Sequence, residues 1–130
     1  SDLIAIHLKS GIGRLSAYCG AVCAATGAGC AMTYLDGGTL EQIDQTITNS
    51  IATSSGMVCD GAKSSCASKI ATAVGMALLA MDMSEKGRVF KPGEGLVEDS
   101  VEETIESVGR MGREGLKSTD VEILKIMLGK

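Results

Sequence analysis

The sequence predicts an all-α fold, a compact bundle of about five or six helices rich in small residues. Apolar residues recur at three- and four-residue steps along most of the chain, and no long stretch alternates apolar and polar residues as a strand does. The 130 residues include 17 glycines, one proline and few aromatic side chains, which is typical of closely packed helices. A chain of this length is expected to form a single domain over residues 1–130.

Three helices are predicted in the first half of the chain. Residues 1–10 have helical apolar spacing, and a second helix over 15–35, with Ser16 placed to cap it, has Gly and Ala along one smooth face. Thr39 and Gln42 have the spacing of a capping box and begin the third helix. The apolar stripe of this third helix consists of Leu40, Ile43, Ile47 and Ile51.

A fourth helix is predicted to begin at Ser64 or Ser65 and to end near Met83. The residues predicted to face inward from it are Ile70, Val74, Ala77, Leu78 and Met81. A loop follows at 86–97, because this stretch contains three glycines and the only proline of the chain.

Two more helices complete the predicted bundle. Ser100, with Glu103 three residues later, predicts a capped helix start, and the stretch 112–117 is expected to break that helix. Ser118 or Thr119 is expected to cap the last helix. The residues predicted to face inward from these two helices are Val101, Ile105, Val108, Met111, Val121, Leu124 and Met127 or Leu128.

Composition and charge argue against several classes of protein. The net charge is −4 and there is no cluster of Lys and Arg, so nucleic-acid binding is not predicted. The longest apolar stretch, 70–83, contains Thr72, Gly75 and Asp82, so no membrane span is predicted. Five cysteines cannot all pair within the chain, and its start lacks the pattern of a secretion signal. Reduced thiols in a cytoplasmic protein are therefore expected.

Most of the side chains that could carry chemistry lie in one Gly- and Ser-rich stretch, residues 54–70, which contains Cys59, Asp60, Lys63 and Cys66. A thiol beside a cation in uncovered backbone suits a reactive thiolate or a metal ligand. The alternative is that the cysteines are small core residues and that the two charges are simply solvated.

The same stretch, residues 54–70, also approaches the phosphate-loop pattern. One additional residue precedes the lysine and a helix precedes the loop, so nucleotide binding is not predicted.

The chain resembles one enzyme family over almost its whole length. The segments that carry the resemblance are IHLKSGIGRLSAYCG (6–20), GMVCDGAKSSCASKIATA (56–73) and VEETIESVGRMGREGLKSTDVEILKIM (101–127). They are similar to the C-terminal part of the L-cysteine desulfidase family, which is related to the alpha chain of iron–sulfur L-serine dehydratases. CDGAK, with a cysteine three residues beyond it, is the most specific segment. The 40-residue separation of Cys19 and Cys59 fits the spacing of two cluster cysteines in that family.

The resemblance implies a lyase that works without pyridoxal phosphate and carries a [4Fe–4S] cluster on three cysteines. Cys19 and Cys59 would be two of these ligands, and Cys66 is a further candidate. Another ligand would come from an N-terminal region of the full protein, so the chain is expected to be a C-terminal fragment that holds no cluster by itself. The residues that could contact the carboxylate of a substrate are Ser54, Ser55 and Lys63. Lys63 is also the candidate for the catalytic base.

The reaction implied by the resemblance removes the β-substituent of L-cysteine and gives hydrogen sulfide, pyruvate and ammonia. One alternative is an L-serine dehydratase, which releases water in place of hydrogen sulfide. Another is a helical interaction module without catalysis, in which the small-residue face of the helix over 15–35 packs against a partner. The expected partners are an amino-acid substrate, the N-terminal region of the same protein and a second copy of the chain.

Overall fold

The computed structural model describes residues 1–130 and contains six α-helices and one π-helical turn. The helices are α1 (Asp2–Ile12), α2 (Gly20–Leu35), α3 (Leu40–Ser54), α4 (Ser65–Glu85), α5 (Val101–Arg110) and α6 (Lys117–Met127). The π-helical turn, Met111–Gly115, lies between α5 and α6. One isolated antiparallel bridge joins Tyr18 and Val58, and no strand forms. The predicted all-α bundle is confirmed.

Two helix starts are stabilised by the capping boxes that the sequence predicts. Gln42 N donates to Thr39 Oγ1 at 3.2 Å, while Thr39 N donates to Gln42 Oε1 at 2.8 Å. Ser100 and Glu103 form the same arrangement at the start of α5. In contrast, α4 and α6 begin without a side-chain cap. Ser64 occupies the predicted N-cap position of α4, although its side chain makes no capping hydrogen bond. The predicted cap of α6 at Ser118 or Thr119 is wrong, because Leu116 occupies that position.

The main hydrophobic core lies between α1, α2, α3 and α5. Its buried members are Leu8, Ile12, Tyr18, Cys19, Val22, Cys23, Cys30, Ile47, Ile51, Ile105 and Val108. α4 packs against α2 and α3 through small residues, including the buried Ala73, Ala77 and Ala80. A Cβ placed on Gly29 of α2 would lie 3.0 Å from Ala77 Cβ. The two helices are therefore in close backbone contact, which only small side chains permit.

Several bulky residues of α4 and α6 lie outside the core, which corrects part of the sequence prediction. Ile70 and Leu78 of α4 are 54% and 47% exposed, because the narrow space beside α2 and α3 accepts alanine and excludes larger side chains. α6 has no buried residue and contacts the bundle through the π-helical turn. The other residues predicted inward but found exposed are Leu40, Val121, Leu124, Met127 and Leu128. The inward predictions that are fully buried are Ile47, Ile51, Ala77, Ile105 and Val108.

By length and composition alone, α4 is long and apolar enough to cross a bilayer. Core helices of water-soluble proteins can meet the same two criteria. In this fold, hydroxyl groups link α4 to two neighbouring helices. Thr46 Oγ1 on α3 lies 3.1 Å from Ser84 Oγ on α4 and 3.1 Å from Thr33 Oγ1 on α2. These buried hydrogen bonds add directional contacts to the alanine packing of α4.

The π-helical turn occurs where the sequence predicts a break in the helix. Ser16 Oγ donates to Gly112 O at 2.6 Å and accepts from Tyr18 N at 3.0 Å. Ser16 therefore joins the segment before α2 to the turn, and its predicted role as a helix cap is wrong. A Cβ on Gly112 would lie 3.1 Å from Ile12 Cγ2 and 3.5 Å from Tyr18 Cβ. The turn thus packs directly against the segment that leads into α2.

Candidate functional site

The bridge between Tyr18 and Val58 brings two distant cysteines to one place. Cys19 N donates to Met57 O at 3.0 Å, and Cys59 N donates to Ala17 O at 2.6 Å. Side chains alternate across an extended backbone, so residues 19 and 59 lie on the face opposite that of the bridge pair. Both cysteines line the same groove.

This pairing also explains why α2 begins later than predicted. Tyr18 forms the bridge and Cys19 is extended, so α2 begins at Gly20 rather than at residue 15. Cys19 occupies the N-cap position, with φ −70° and ψ 121°, and makes no side-chain capping bond. The first N–H groups of a helix have no partners within it and favour a negative charge nearby. Cys19 thus lies beside the unpaired N–H groups at the start of α2.

A groove of about 560 Å³ lies between the starts of α2 and α4. Its polar lining groups are Cys19, Cys59, Cys66 and Lys69. Its walls are small or apolar and include Ala21, Ala24, Ala25, Ala28, Ile70 and Val74. A mainly apolar groove with a few convergent polar groups is the usual form of a ligand site.

Cys66 stabilises the loop that follows Cys59. Its thiol donates to Gly61 O at 3.3 Å and accepts from Lys63 N at 3.4 Å. Gly61 has φ +90°, a left-handed conformation that favours glycine. The Cys66 side chain is half-buried and therefore accessible from the groove.

The predicted substrate contacts do not line this groove. Lys63 is exposed. Ser54 and Ser55 are buried, and the Ser55 hydroxyl donates to Ile51 O and lies 3.3 Å from the Tyr18 hydroxyl. The three cysteines therefore line one groove, whereas the three residues predicted to contact substrate do not line it. The roles of Ser54, Ser55 and Lys63 stay predictions.

Lys69 is the functional candidate that the sequence analysis missed. Lys69 Nζ lies 2.5 Å from Asp60 Oδ1 and 2.9 Å from Val58 O, so Asp60 pairs with Lys69 and not with Lys63. The hydrogen bond from Lys69 lowers the pKa of the Asp60 carboxyl, so the ion pair persists on acidification until the pH falls below that lowered pKa. Lys69 follows Cys66 by three residues on a helix, and this spacing could have indicated their common face.

The sequence shows which protein family the chain belongs to. The sequence model of the serine dehydratase alpha chain matches residues 1–125. This chain belongs to the serine dehydratase alpha chain family. The relationship to this alpha chain that the sequence predicts is therefore confirmed. No solved structure matches the chain.

Individual relatives of this family member are similar over nearly all of its residues. Proteins described as UPF0597 proteins from Lachnoclostridium phytofermentans and Desulfitobacterium hafniense are 59% and 50% identical to it, over 98% and 100% of the chain. A UPF0597 protein from Treponema denticola is 48% identical over 98% of the chain. The chain spans 31%, 30% and 30% of the lengths of these three relatives.

Two thiols of this serine dehydratase-like chain are candidates for binding an iron–sulfur cluster. Cys19 and Cys59 line one groove, and thiolates are the usual ligands of such clusters. No three side chains of His, Cys, Asp or Glu are grouped closely enough to hold a metal ion. The chain therefore does not form a three-ligand site in this structure.

Two of the five thiols, those of Cys23 and Cys30, are buried and do not line the groove. Cys23 and Cys30 are each 3% exposed, and burial raises the pKa of both thiols to about 11. Cys59 and Cys66 are half-buried. We expect iodoacetamide at pH 8 to modify Cys59 and Cys66 in the folded chain and to leave Cys23 and Cys30 unmodified, since the thiolate is the nucleophile.

Peptide mass spectrometry over a time course would measure this difference, with all five cysteines reacting in denaturant as the control. If Cys23 or Cys30 reacted as fast as Cys59 in the folded chain, the assignment of these two residues to the core would be wrong.

Proposed function

We propose that the full-length polypeptide containing this chain is a lyase that removes the β-substituent of L-cysteine. The products are hydrogen sulfide, pyruvate and ammonia. The observation that carries the proposal is the backbone bridge that brings Cys19 and Cys59 into one groove in a member of the serine dehydratase alpha chain family. In the same proposal this chain is the C-terminal part of the polypeptide.

Cys19 and Cys59 would hold a [4Fe–4S] cluster together with a third ligand from outside this chain. When bound, the cluster would supply an iron with an open position that acts as a Lewis acid on the substrate. Cys66, which lines the same groove, is the alternative source of the third thiolate. Because Cys66 bonds to Gly61 O and Lys63 N, this role would require the loop to rearrange.

The groove gives this chain's residues a second role, which is to surround the substrate. Its alanine-rich walls are apolar, and the starts of α2 and α4 favour a negatively charged group. Removal of the α-proton and loss of the β-substituent would give aminoacrylate, which hydrolyses to pyruvate and ammonia. Ser54, Ser55 and Lys63 remain the proposed contacts of the carboxylate, after rearrangement around the substrate. In the alternative, Lys63 is the base and not a carboxylate contact.

The proposed partner of this chain is the remaining region of the polypeptide. The chain spans about three tenths of the relatives it matches, and large apolar side chains are exposed on α4 and α6. These side chains include Ile70, Leu78, Leu79, Val121, Leu124 and Ile126. Contact with the remaining region would cover them and would bring the third ligand to the groove. A cytoplasmic location is part of the proposal, because reduced thiols are typical of that compartment.

Product analysis tests the proposed reaction. The full-length polypeptide, reconstituted with iron and sulfide without oxygen, is expected to release sulfide and pyruvate from L-cysteine in equal amounts. Pyruvate from L-serine, measured under identical conditions, is the comparison. The family match favours serine as the second candidate substrate, and a faster reaction with serine would replace the cysteine assignment. No pyruvate from either amino acid would contradict a lyase function.

A further inference from the structure

Lys69 contacts the residues on both sides of Cys59. Its ammonium group donates to Val58 O at 2.9 Å and to Asp60 Oδ1 at 2.5 Å. Its side chain is only 20% exposed, because the stem lies in the wall of the groove. From this geometry we propose that Lys69 is a positioning residue that fixes the Cys59 thiol in the groove. The proposal rests on the proposed function, in which Cys59 is a ligand.

The segment around Cys59 needs such an attachment. Residues 58–64 lie between α3 and α4 and form no helix. Two backbone hydrogen bonds join this part of the chain to a distant part of the fold, from Cys19 N to Met57 O and from Cys59 N to Ala17 O. Ordering a segment outside regular secondary structure costs conformational entropy, which further attachments offset. Lys69, held in the second turn of α4, supplies two further attachments.

The charge of Lys69 suits the same role. The hydrogen bond that Lys69 donates to the Asp60 carboxylate raises the pKa of the Lys69 amine. Lys69 therefore stays protonated, and its side chain lines the same groove as Cys19, Cys59 and Cys66.

An ordinary surface ion pair would not have this arrangement. Exposed ion pairs contribute little to the free energy of unfolding. Lys86, the C-cap residue of α4, forms such a pair with Asp82, and both side chains are at least half exposed. Lys69 differs because it is mostly buried and because one of its acceptors is a backbone carbonyl next to Cys59. Lys86 therefore provides a matched control.

Hydrogen exchange in the full-length polypeptide, resolved at single amides by mass spectrometry, tests the proposal. In Lys69→Met, the Cys59 amide is expected to exchange about tenfold faster, since charge-assisted hydrogen bonds are lost. Amides in α3 and α5 are expected to be unchanged, and Lys69→Arg is expected to restore most of the protection of Cys59. Lys86→Met should leave the Cys59 amide as in the unmodified chain. Asp60→Asn, which weakens the attachment without altering α4, should give an intermediate rate.

The results separate positioning from a general effect on stability. Uniformly faster exchange across the bundle in Lys69→Met, or unchanged exchange at Cys59 in both Lys69→Met and Asp60→Asn, would overturn the proposal. Iron content of the full-length polypeptide is the second readout, and Lys69→Met is expected to bind less iron than Lys86→Met. If the unmodified polypeptide bound no iron, the proposed function would fail, while the exchange data would still decide whether Lys69 fixes Cys59.

Discussion

Replacing Cys59 with alanine is expected to remove nearly all cluster iron and lyase activity from the full-length polypeptide. Cys59 lies in the groove with Cys19, and the bridge from its amide to Ala17 O fixes its position relative to Cys19. A cluster held by three thiolates cannot retain its coordination when one is missing, because alanine offers no donor. Iron and acid-labile sulfide per polypeptide, measured after anaerobic reconstitution, would report the loss.

Cys30→Ala is the matched control for this prediction. Cys30 is buried in the main core, is absent from the groove lining and has a thiol pKa raised to about 11 by burial. The control is expected to keep its iron and its activity, with a small loss of stability at most. A Cys59→Ala variant with full iron content would show that Cys59 is not a ligand. Cys66→Ala tests the remaining thiol, and loss of iron in that variant would identify Cys66 as a ligand.

The second large effect is expected in the contact between α2 and α4. In Gly29→Val, the free energy of unfolding is expected to fall by about 1–3 kcal/mol, because the core is overpacked. A Cβ on Gly29 would lie 3.0 Å from Ala77 Cβ and 3.3 Å from Ala77 O, so the obstructing atoms include backbone that cannot rotate away. Urea unfolding of the 130-residue chain would measure the change.

Gly75→Ala serves as the control, since Gly75 lies within α4 and has nothing within 4 Å of an added Cβ. This change is expected to raise the free energy of unfolding by up to about 1 kcal/mol, because alanine has the higher helix propensity. If Gly29→Val were as stable as the unmodified chain, the close contact between α2 and α4 would be wrong.

Local signals explain what could be predicted about the fold. The two capping boxes depend on residues three apart, so their spacing in the sequence is sufficient to identify them. The inward face of α4 was less predictable. Periodicity identified Ile70 and Leu78 as core residues, whereas the close approach of α2 leaves room only for alanines such as Ala77. That approach depends on Gly29, in another helix, and a pattern within α4 carries no information about it.

The candidate site, like the fold, could be predicted from the sequence only in part. The sequence shows Cys59 in a loop suited to a thiolate, but spacing alone does not relate it to Cys19, because a bridge between distant segments brings them together. The family resemblance predicted this pair. Lys69 was missed because Lys63 is nearer to Asp60 in sequence, while the helical start of α4 directs the later lysine back to Asp60.

The most direct test of the account is the iron and acid-labile sulfide content of two samples after identical anaerobic reconstitution and desalting. One sample is the full-length polypeptide, and the other is this 130-residue chain. The account predicts about four iron and four sulfide per full-length polypeptide and none retained by the shorter chain, which supplies two of three ligands. A full-length polypeptide without iron, or a stable cluster on the 130-residue chain alone, would contradict it.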